Sequence, residues 1–379
     1  MGCKQFASLV RLCLAISMQV LVAAESFLRW RPPPMYVFGD SILDVGNNNY
    51  LPGANVSRAN MPYYGIDLIP TGRFSNGYNT ADYMARSMGW LHSPPPYLSL
   101  APQSLMMTSS LLLTAGALTT GVNYASAGAG ILDSTNAGRS IPLSRQVEYF
   151  NATRATMLAA MGDDTVDDLL AKSIFLISAG SSDLLQSSVR NSSSSSRSSS
   201  LVVSVSDLIS NYSATIEDLY DMGARKFAII NLGPLGCVPA VRVLNSTGSG
   251  CAAGLNQLAA SFDAALRPML SGLAARMPDM AYSLADYFGL AQDTFADPQA
   301  SGYTDIAGAC CGGGRLLAEA GCLPNSTVCT SRDERDSHVF WDRFNPSQRA
   351  SLLTAQAFYD GPAQYTEPIN FMQLAQSSS

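Results

Sequence analysis

Histidine is almost absent: 379 residues carry two, His92 and His338. Chemistry that needs an imidazole base or ligand is confined to those positions. Charge is sparse as well, at 14% of residues, and the basic side is the weaker, with 23 Lys and Arg against 29 Asp and Glu. Phosphate contacts need a concentrated basic surface, so the composition argues against nucleic-acid binding. No apolar run of about 18 residues or more follows the N-terminal one, which argues against a membrane-spanning chain. A Walker A loop, an H-E-x-x-H pair, a strand-linked dinucleotide fingerprint and a G-x-S-x-G elbow are all missing. Those absences set aside the P-loop, zincin, Rossmann and α/β-hydrolase readings.

The first residues present Lys4 and Arg11, then the apolar LCLAISMQVLVAA closing on Val22, Ala23 and Ala24, which reads as a signal peptide over 1–24. The mature chain is then expected to be secreted and soluble, with 21 basic against 29 acidic residues and a formal charge of −8. Sequons at Asn55, Asn151, Asn191, Asn211, Asn245 and Asn325 favour glycosylation on that route. Cys3 and Cys13 leave with the leader. The remaining six cysteines, Cys237, Cys251, Cys310, Cys311, Cys322 and Cys329, predict three disulfides in an oxidising compartment. Proximity pairs Cys237 with Cys251 and leaves the other four to pair among themselves. A metal-thiolate site is the competing reading, and the adjacency of Cys310 and Cys311 does not match zinc-finger spacing. No metal and no cofactor is expected.

Short apolar runs recur at wide intervals: MYVF (35–38), VNYA (122–125), SIFLIS (173–178), KFAIINL (226–232) and MAYSLAD (280–286). Between them 80–88, 205–223 and 255–277 show helical spacing, as does the stretch after Ala350. Buried strands alternating with helices predict a parallel sheet covered on both faces, with chemistry in the loops at the strands' carboxyl ends. The expected organisation is an N-terminal segment over 25–34, one catalytic-type domain over 35–362 and a tail over 363–379. The tract NSSSSSRSSS (191–200) reads as a solvated loop insertion.

The first candidate for chemistry is FGDSILDVGNNNY (38–50), which places Ser41 just past a strand, beside Gly39. GVNYASAGAG (121–130), AGSSD (179–183), GPLGCVP (233–239) and FWDRFNP (340–346) follow in order, together with PTGRFSNGYNTADY and ACCGGG. These blocks resemble those of the plant-type GDSL esterase/lipases, within the SGNH hydrolase superfamily, over roughly residues 35–362. The resemblance implies a three-layer α/β/α sandwich with a mainly parallel central sheet and a serine ester-hydrolase site. Carried over by position, Ser41 is the nucleophile. Its own N–H, that of Gly130 (Gly128 as the alternative) and an asparagine side chain form the oxyanion hole, and Asp342 orients a histidine base.

Two positions depart from that pattern: Ser182 stands where the family has asparagine, and Asn345 where it has histidine. A missing oxyanion donor costs about 10² to 10³ in rate. Asparagine cannot accept a proton, and removal of a triad member costs on the order of 10⁴ to 10⁶. His338, four residues before Asp342, would need an unusual path to Ser41, and His92 has no catalytic task in this reading. Asn345 has a structural reading as N-cap of the last helix, with Pro346 first inside it and Gln348 closing a capping box. Asp40 and Asp342 read structurally as loop carboxylates bonding backbone N–H groups. Asp44 and Asn47 to Asn49 are expected to shape the loop around Ser41, and Asp183 to be structural. The run GIDLIPTG is shorter than the family's, which predicts a trimmed loop near the cleft. The resulting expectation is a secreted ester hydrolase of carboxylic, acyl or acetyl esters with impaired turnover. The alternative is a silent relative that holds a small ester, a lipid or an acylated cell-wall glycan in the inherited cleft.

Overall fold

Short apolar runs build the centre of the molecule, three of them buried at every residue. The computed structural model describes residues 32–68, 72–100, 113, 116–118, 120–193, 203–244 and 250–377. The expected leader, most of 25–34, the bulk of the serine tract and Asn245 lie outside the described residues. Four strands, β1 (Met35–Gly39), β2 (Ile174–Ser178), β3 (Lys226–Ile230) and β4 (Ala281–Ala285), pair in parallel in that spatial order. The longer helices are α1 (Thr80–Ser87), α2 (Leu143–Met161), α3 (Asp163–Lys172), α4 (Ser181–Ser193), α5 (Val205–Asp221), α6 (Ala253–Arg276), α7 (Tyr287–Ala296), α8 (Gln348–Tyr359) and α9 (Phe371–Gln376), with short turns of helix at Tyr97–Leu100, Pro239–Arg242 and Arg332–Asp336.

Alternate strand residues go to opposite faces. Tyr36, Phe38, Phe175, Ile177, Phe227 and Ile229 pack with α2, α5 and α6 on one side. Met35, Val37, Leu176, Ala228 and Ile230 pack with α1, α8 and α9 on the other. This is the α/β/α sandwich. A connected set of aromatic rings fills the first layer, with Phe150 of α2 at 5.2 Å from Tyr36, 5.4 Å from Phe175 and 6.0 Å from Phe38 between ring centres.

The cysteine-rich segment forms two small ladders: β5 (Asp305–Ala309) pairs in parallel with β8 (His338–Phe340), and β6 (Cys311–Gly312) pairs antiparallel with β7 (Thr327–Val328). Disulfides join Cys237 to Cys251, as proximity predicted, and Cys310 to Cys329 and Cys311 to Cys322. Cys310, Cys329 and His338 lie close enough to hold a metal, yet both sulfurs are already bonded to each other.

Four expectations need correction. The run VNYA is not a named strand: its backbone runs beside β1, with Val37 N–H on the Val122 carbonyl and Tyr124 N–H on that of Val37, but the pairing amounts to isolated bridges from Asn123 to Val37 and to Pro96. The last helix is capped by Ser347, whose hydroxyl accepts the Ala350 N–H at 3.1 Å, while the amide of Asn345 is engaged elsewhere. Residues 191–193 belong to α4, so the serine tract begins in a helix. The segment expected as a tail carries β9 (Thr366–Glu367), which pairs antiparallel with β4, and α9, whose Phe371 and Leu374 are buried. No helix among the described residues is long and apolar enough to cross a membrane.

Because Phe150 is fully buried among rings, Phe150→Ala is expected to lower stability by about 3 to 5 kcal/mol. It would be read as a reduced denaturant midpoint at unchanged slope. Leu91→Ala, at a side chain 78% exposed, should stay within about 0.5 kcal/mol. Equal midpoints for the two variants would contradict the layer assignment.

Candidate active site

The loop after β1 owes its path to a close approach. A Cβ on Gly39 (φ 139°) would sit 2.0 Å from the Ser178 carbonyl oxygen of β2, so only glycine fits there. Gln146 of α2 fixes the same residue from the other side, accepting the Gly39 N–H at 2.8 Å and donating to the Gly39 carbonyl at 2.9 Å. The chain then turns, with the Asp40 carbonyl accepting the Leu43 and Asp44 N–H groups, and presents Ser41 at the corner. Ser41 is half-buried, and its hydroxyl and N–H have no hydrogen-bond partner among the described residues.

Aspartates hold this loop and the next. Asp44 accepts the N–H groups of Gly46 and Asn47 through Oδ1 and that of Ala127 through Oδ2. Asn47 donates to the Asn123 and Ala125 carbonyls, and Asn48 to that of Ala127. Asp183, in the first turn of α4, accepts the Ile131 and Leu132 N–H groups at 2.9 and 3.2 Å and the Thr135 hydroxyl at 2.6 Å. Gly130 is thereby drawn against α4: an added Cβ would lie 2.6 Å from Asp183 Oδ1 and 2.4 Å from Thr135 Cβ. Gly130 thus stands one residue from Ile131, and Ser182 one residue from the Asp183 that binds it. The Ser181 hydroxyl lies against the Asp40 carboxyl and ties the Ser41 corner to the same helix start. The Gly130 N–H and the Ser182 hydroxyl are likewise without a partner among the described residues. Four hydrogen-bond donors, two of them on Ser41, are therefore left without a partner on segments that Asp183 and the Ser181–Asp40 contact tie together. Gly128 has its carbonyl held by Asn136 and Ser140, with φ at +83°.

The fifth block follows β8. Asp342, 3% exposed, accepts the Phe344 and Asn345 N–H groups, each at 2.8 Å, through Oδ1. The Asn345 amide nitrogen reaches both carboxylate oxygens, at 3.0 and 2.9 Å, and the Tyr64 hydroxyl donates to Oδ2 at 2.8 Å. Among the described residues Asn345 Oδ1 is buried without a partner, and no hydrogen bond joins Asn345 to Ser41. In chemical terms Asn345 reproduces the donor side of an imidazole facing Asp342 and offers a neutral carbonyl in place of a basic nitrogen. Tyr64 was not legible as a site residue; it lies just before the GIDLIPTG run, and only the folded chain shows its hydroxyl on Asp342.

A strap over residues 72–79 links the two halves. Arg73 pairs with Asp82 at 2.6 Å and bonds the Val45 carbonyl; Asn79 caps α1 and donates to the Asp44 carbonyl. Asn76 accepts the Gln348 N–H at 2.7 Å, and Gln348 accepts that of Tyr78 at 2.9 Å. His338 is held elsewhere, with Nδ1 2.8 Å from the Glu334 carbonyl oxygen and Nε2 3.7 Å from Asp305, so it faces the cysteine-rich ladder. His92 is exposed.

Burial raises these carboxyls. Asp40 is pushed up to about 6 by desolvation, against the Ile42 N–H and the Ser181 hydroxyl, with repulsion from Asp183 and Asp44 added. Desolvation also takes Asp44 to about 6, opposed by its N–H partners. Asp342 is raised by burial too, while the Phe344 and Asn345 donors and Tyr64 pull it back.

Comparison with known proteins gives one consistent result. The model of the GDSL-like lipase/acylhydrolase family matches residues 35–358. A GDSL esterase/lipase of Arabidopsis thaliana is 35% identical over 353 residues, covering 90% of this chain and 89% of its own. A second from the same plant is 36% identical over 351 residues, with 91% and 92% covered. GDSL esterase/lipase 7 of Arabidopsis thaliana is 36% identical over 353 residues, with 90% and 92% covered.

The raised carboxyls set a pH dependence. An unfolded aspartate titrates near about 3.9. Between that value and about 6 the folded chain therefore binds more protons at Asp40 and Asp44 than the unfolded chain, and their contribution makes stability fall as pH rises through the window. Asp40→Asn removes one share. Its loss of stability from about pH 4 to pH 7 should be shallower than the parent's by about 1 to 3 kcal/mol, read from denaturant midpoints. Parallel curves would mean that Asp40 ionises as a solvated carboxylate.

Proposed function

Because the chain belongs to the GDSL-like lipase/acylhydrolase family, we propose that it is a secreted ester hydrolase whose cleft still binds esters while turnover is impaired. Family membership supports ester hydrolysis as the class of reaction. In that reading Ser41 attacks the ester carbonyl, and the Ser41 and Gly130 N–H groups with the Ser182 hydroxyl receive the developing oxyanion. Asp342 is the orienting carboxylate. The observation that carries the proposal is its contact with Asn345: one amide nitrogen bonds both carboxylate oxygens, and the amide oxygen is buried without a partner. No group there takes the proton from Ser41. Serine is a weak nucleophile without a base, so acyl transfer is slow while the binding surfaces persist.

The same contact favours the second reading, a silent family member that binds a lipid or cell-wall glycan ester. An amide beside a buried carboxylate stabilises the loop without chemistry. Hydrolysis of a short p-nitrophenyl ester separates the two. The impaired-hydrolase reading expects slow turnover that Ser41→Ala abolishes. Asn345→His should then raise kcat by about 10⁴, because Asp342 is already placed to hold an imidazole. Adding Ser182→Asn should contribute up to about a further 10². No turnover in the parent with strong turnover in the histidine variant supports the silent reading. Full activity in the unaltered protein, lost in Ser41→Ala, would sink both.

The secreted route rests on the leader pattern, the three disulfides and the sequons, of which Asn55, Asn151, Asn211 and Asn325 are exposed. Expression with the native leader should give an exported protein beginning near Glu25 that loses mass on enzymatic deglycosylation. Retention inside the cell with Met1 intact would overturn that part.

A further inference from the structure

A cavity of about 270 Å³ lies at the carboxyl ends of β3 and β4. Asn231 and Asp286 line it from just beyond those strands, Asp263 and Arg267 from α6, and Thr366 from β9, with Phe288 contributing a ring. Ser41, Gly130, Ser182, Asp342 and Asn345 do not line it.

Two buried oxygens of these lining residues, Asp263 Oδ2 and Thr366 Oγ1, have no partner among the described residues. The other Asp263 oxygen accepts the Leu232 N–H at 2.9 Å. Arg267, one helical turn further on, turns to Glu367 and leaves the Asp263 carboxyl without a counter-cation. Burial therefore raises that carboxyl to about 8, with Asp286 adding repulsion, so at neutral pH it carries a proton it can donate. Asp286 uses Oδ1 for Asn231 Nδ2 and the Gly289 N–H. Both unpartnered oxygens are screened from water. The broad χ2 preference of aspartate allows the Asp263 carboxyl to turn toward a molecule filling the cavity.

We propose that this cavity binds a single neutral sugar ring. The wall mixes donors and acceptors, as a ring of hydroxyl groups requires, and Phe288 offers an apolar surface for its C–H face. The carboxyl groups of Asp263, Asp286 and Glu367 outnumber the one arginine, which disfavours an anion. The volume falls just below the range of about 300 to 1,000 Å³ for drug-sized ligands, the size of one ring rather than a chain. The proposal does not depend on whether Ser41 turns over. Its competitor is a small cationic amine, which would need Asp263 ionised. The charged and titratable groups around Asp263 are Arg267 on its own helix, Asp286 at the start of α7, and Tyr365 and Glu367 on the segment that carries β9.

Saturation-transfer NMR on the full mature protein with the methyl glycosides of glucose, galactose and xylose tests this, with n-butylamine as the cationic probe. Binding of at least one glycoside is expected at pH 6, weakened at least tenfold by Asp263→Leu and by Thr366→Val. It should fade above pH 8 in the parent. Asp263→Asn, which keeps a donor and cannot ionise, should bind at both pH values and serves as the folded control. The proposal fails if no glycoside binds, if binding is unchanged in both weakening variants, or if n-butylamine binds instead and more tightly above pH 8.

Discussion

Irregular backbone at the carboxyl edge of a buried sheet must satisfy its N–H groups without the help of a strand or helix partner, and this chain meets that constraint with aspartates. Asp44 serves Gly46, Asn47 and Ala127; Asp183 serves Ile131 and Leu132; Asp342 serves Phe344 and Asn345. Asp263, Asp286 and Asp305 do the same for Leu232, Gly289 and for Ala307 and Gly308. A buried unpaired N–H costs about 1 to 3 kcal/mol, so each carboxyl removes at least one such penalty, and Asp44, Asp183, Asp305 and Asp342 remove more than one. Much of the acidic excess in the composition is accounted for by loops of this kind. The cost is desolvation, visible as raised carboxyls at Asp40, Asp44, Asp183 and Asp342.

That arrangement explains how the Asp342 loop accommodates Asn345. What Asp342 needs structurally is a donor, and an asparagine amide supplies one as well as an imidazole N–H does. What a hydrolase needs is a basic nitrogen on the far side of the same residue, and an amide oxygen is not basic. Structure and chemistry therefore make separate demands on one position. Asn345 satisfies the first. Its orphaned Oδ1 is the trace of the second.

The layers were legible because buried parallel strands read as short apolar runs and the flanking helices keep their 3.6-residue spacing, as at Lys226–Ile230 and Ala253–Arg276. The Ser41 corner, Gly130, Ser182 and the Asp342 loop were legible only through ordered blocks, since a serine or glycine in a loop carries little signal alone. Side-chain competition for backbone groups defeated the local reading of the α8 cap. Asn345 and Ser347 are both good caps, and the burial of Asp342 decides which is free to act. The run around Asn123 pairs its backbone with β1 on one side and with Pro95 on the other, as a strand does, but each pairing is a single bridge. Tyr64 and the docking of α9 depend on contacts across 278 residues in one case and on a two-residue edge strand in the other, and neither leaves a periodic trace.

The two departures from the family pattern act on different steps, and they are not equally damaging. Of the proposed oxyanion donors, the Ser41 and Gly130 N–H groups belong to the backbone, beside the Gly39 approach to β2 and the loop that Asp183 holds. No side-chain change at 182 removes them. The proton acceptor is a side chain alone, with no backbone group to stand in. A cleft of this design loses proton transfer before it loses recognition of a carbonyl oxygen. Ester binding should accordingly outlast ester cleavage in such a scaffold, because recognition is written into glycines and aspartates that the fold itself requires.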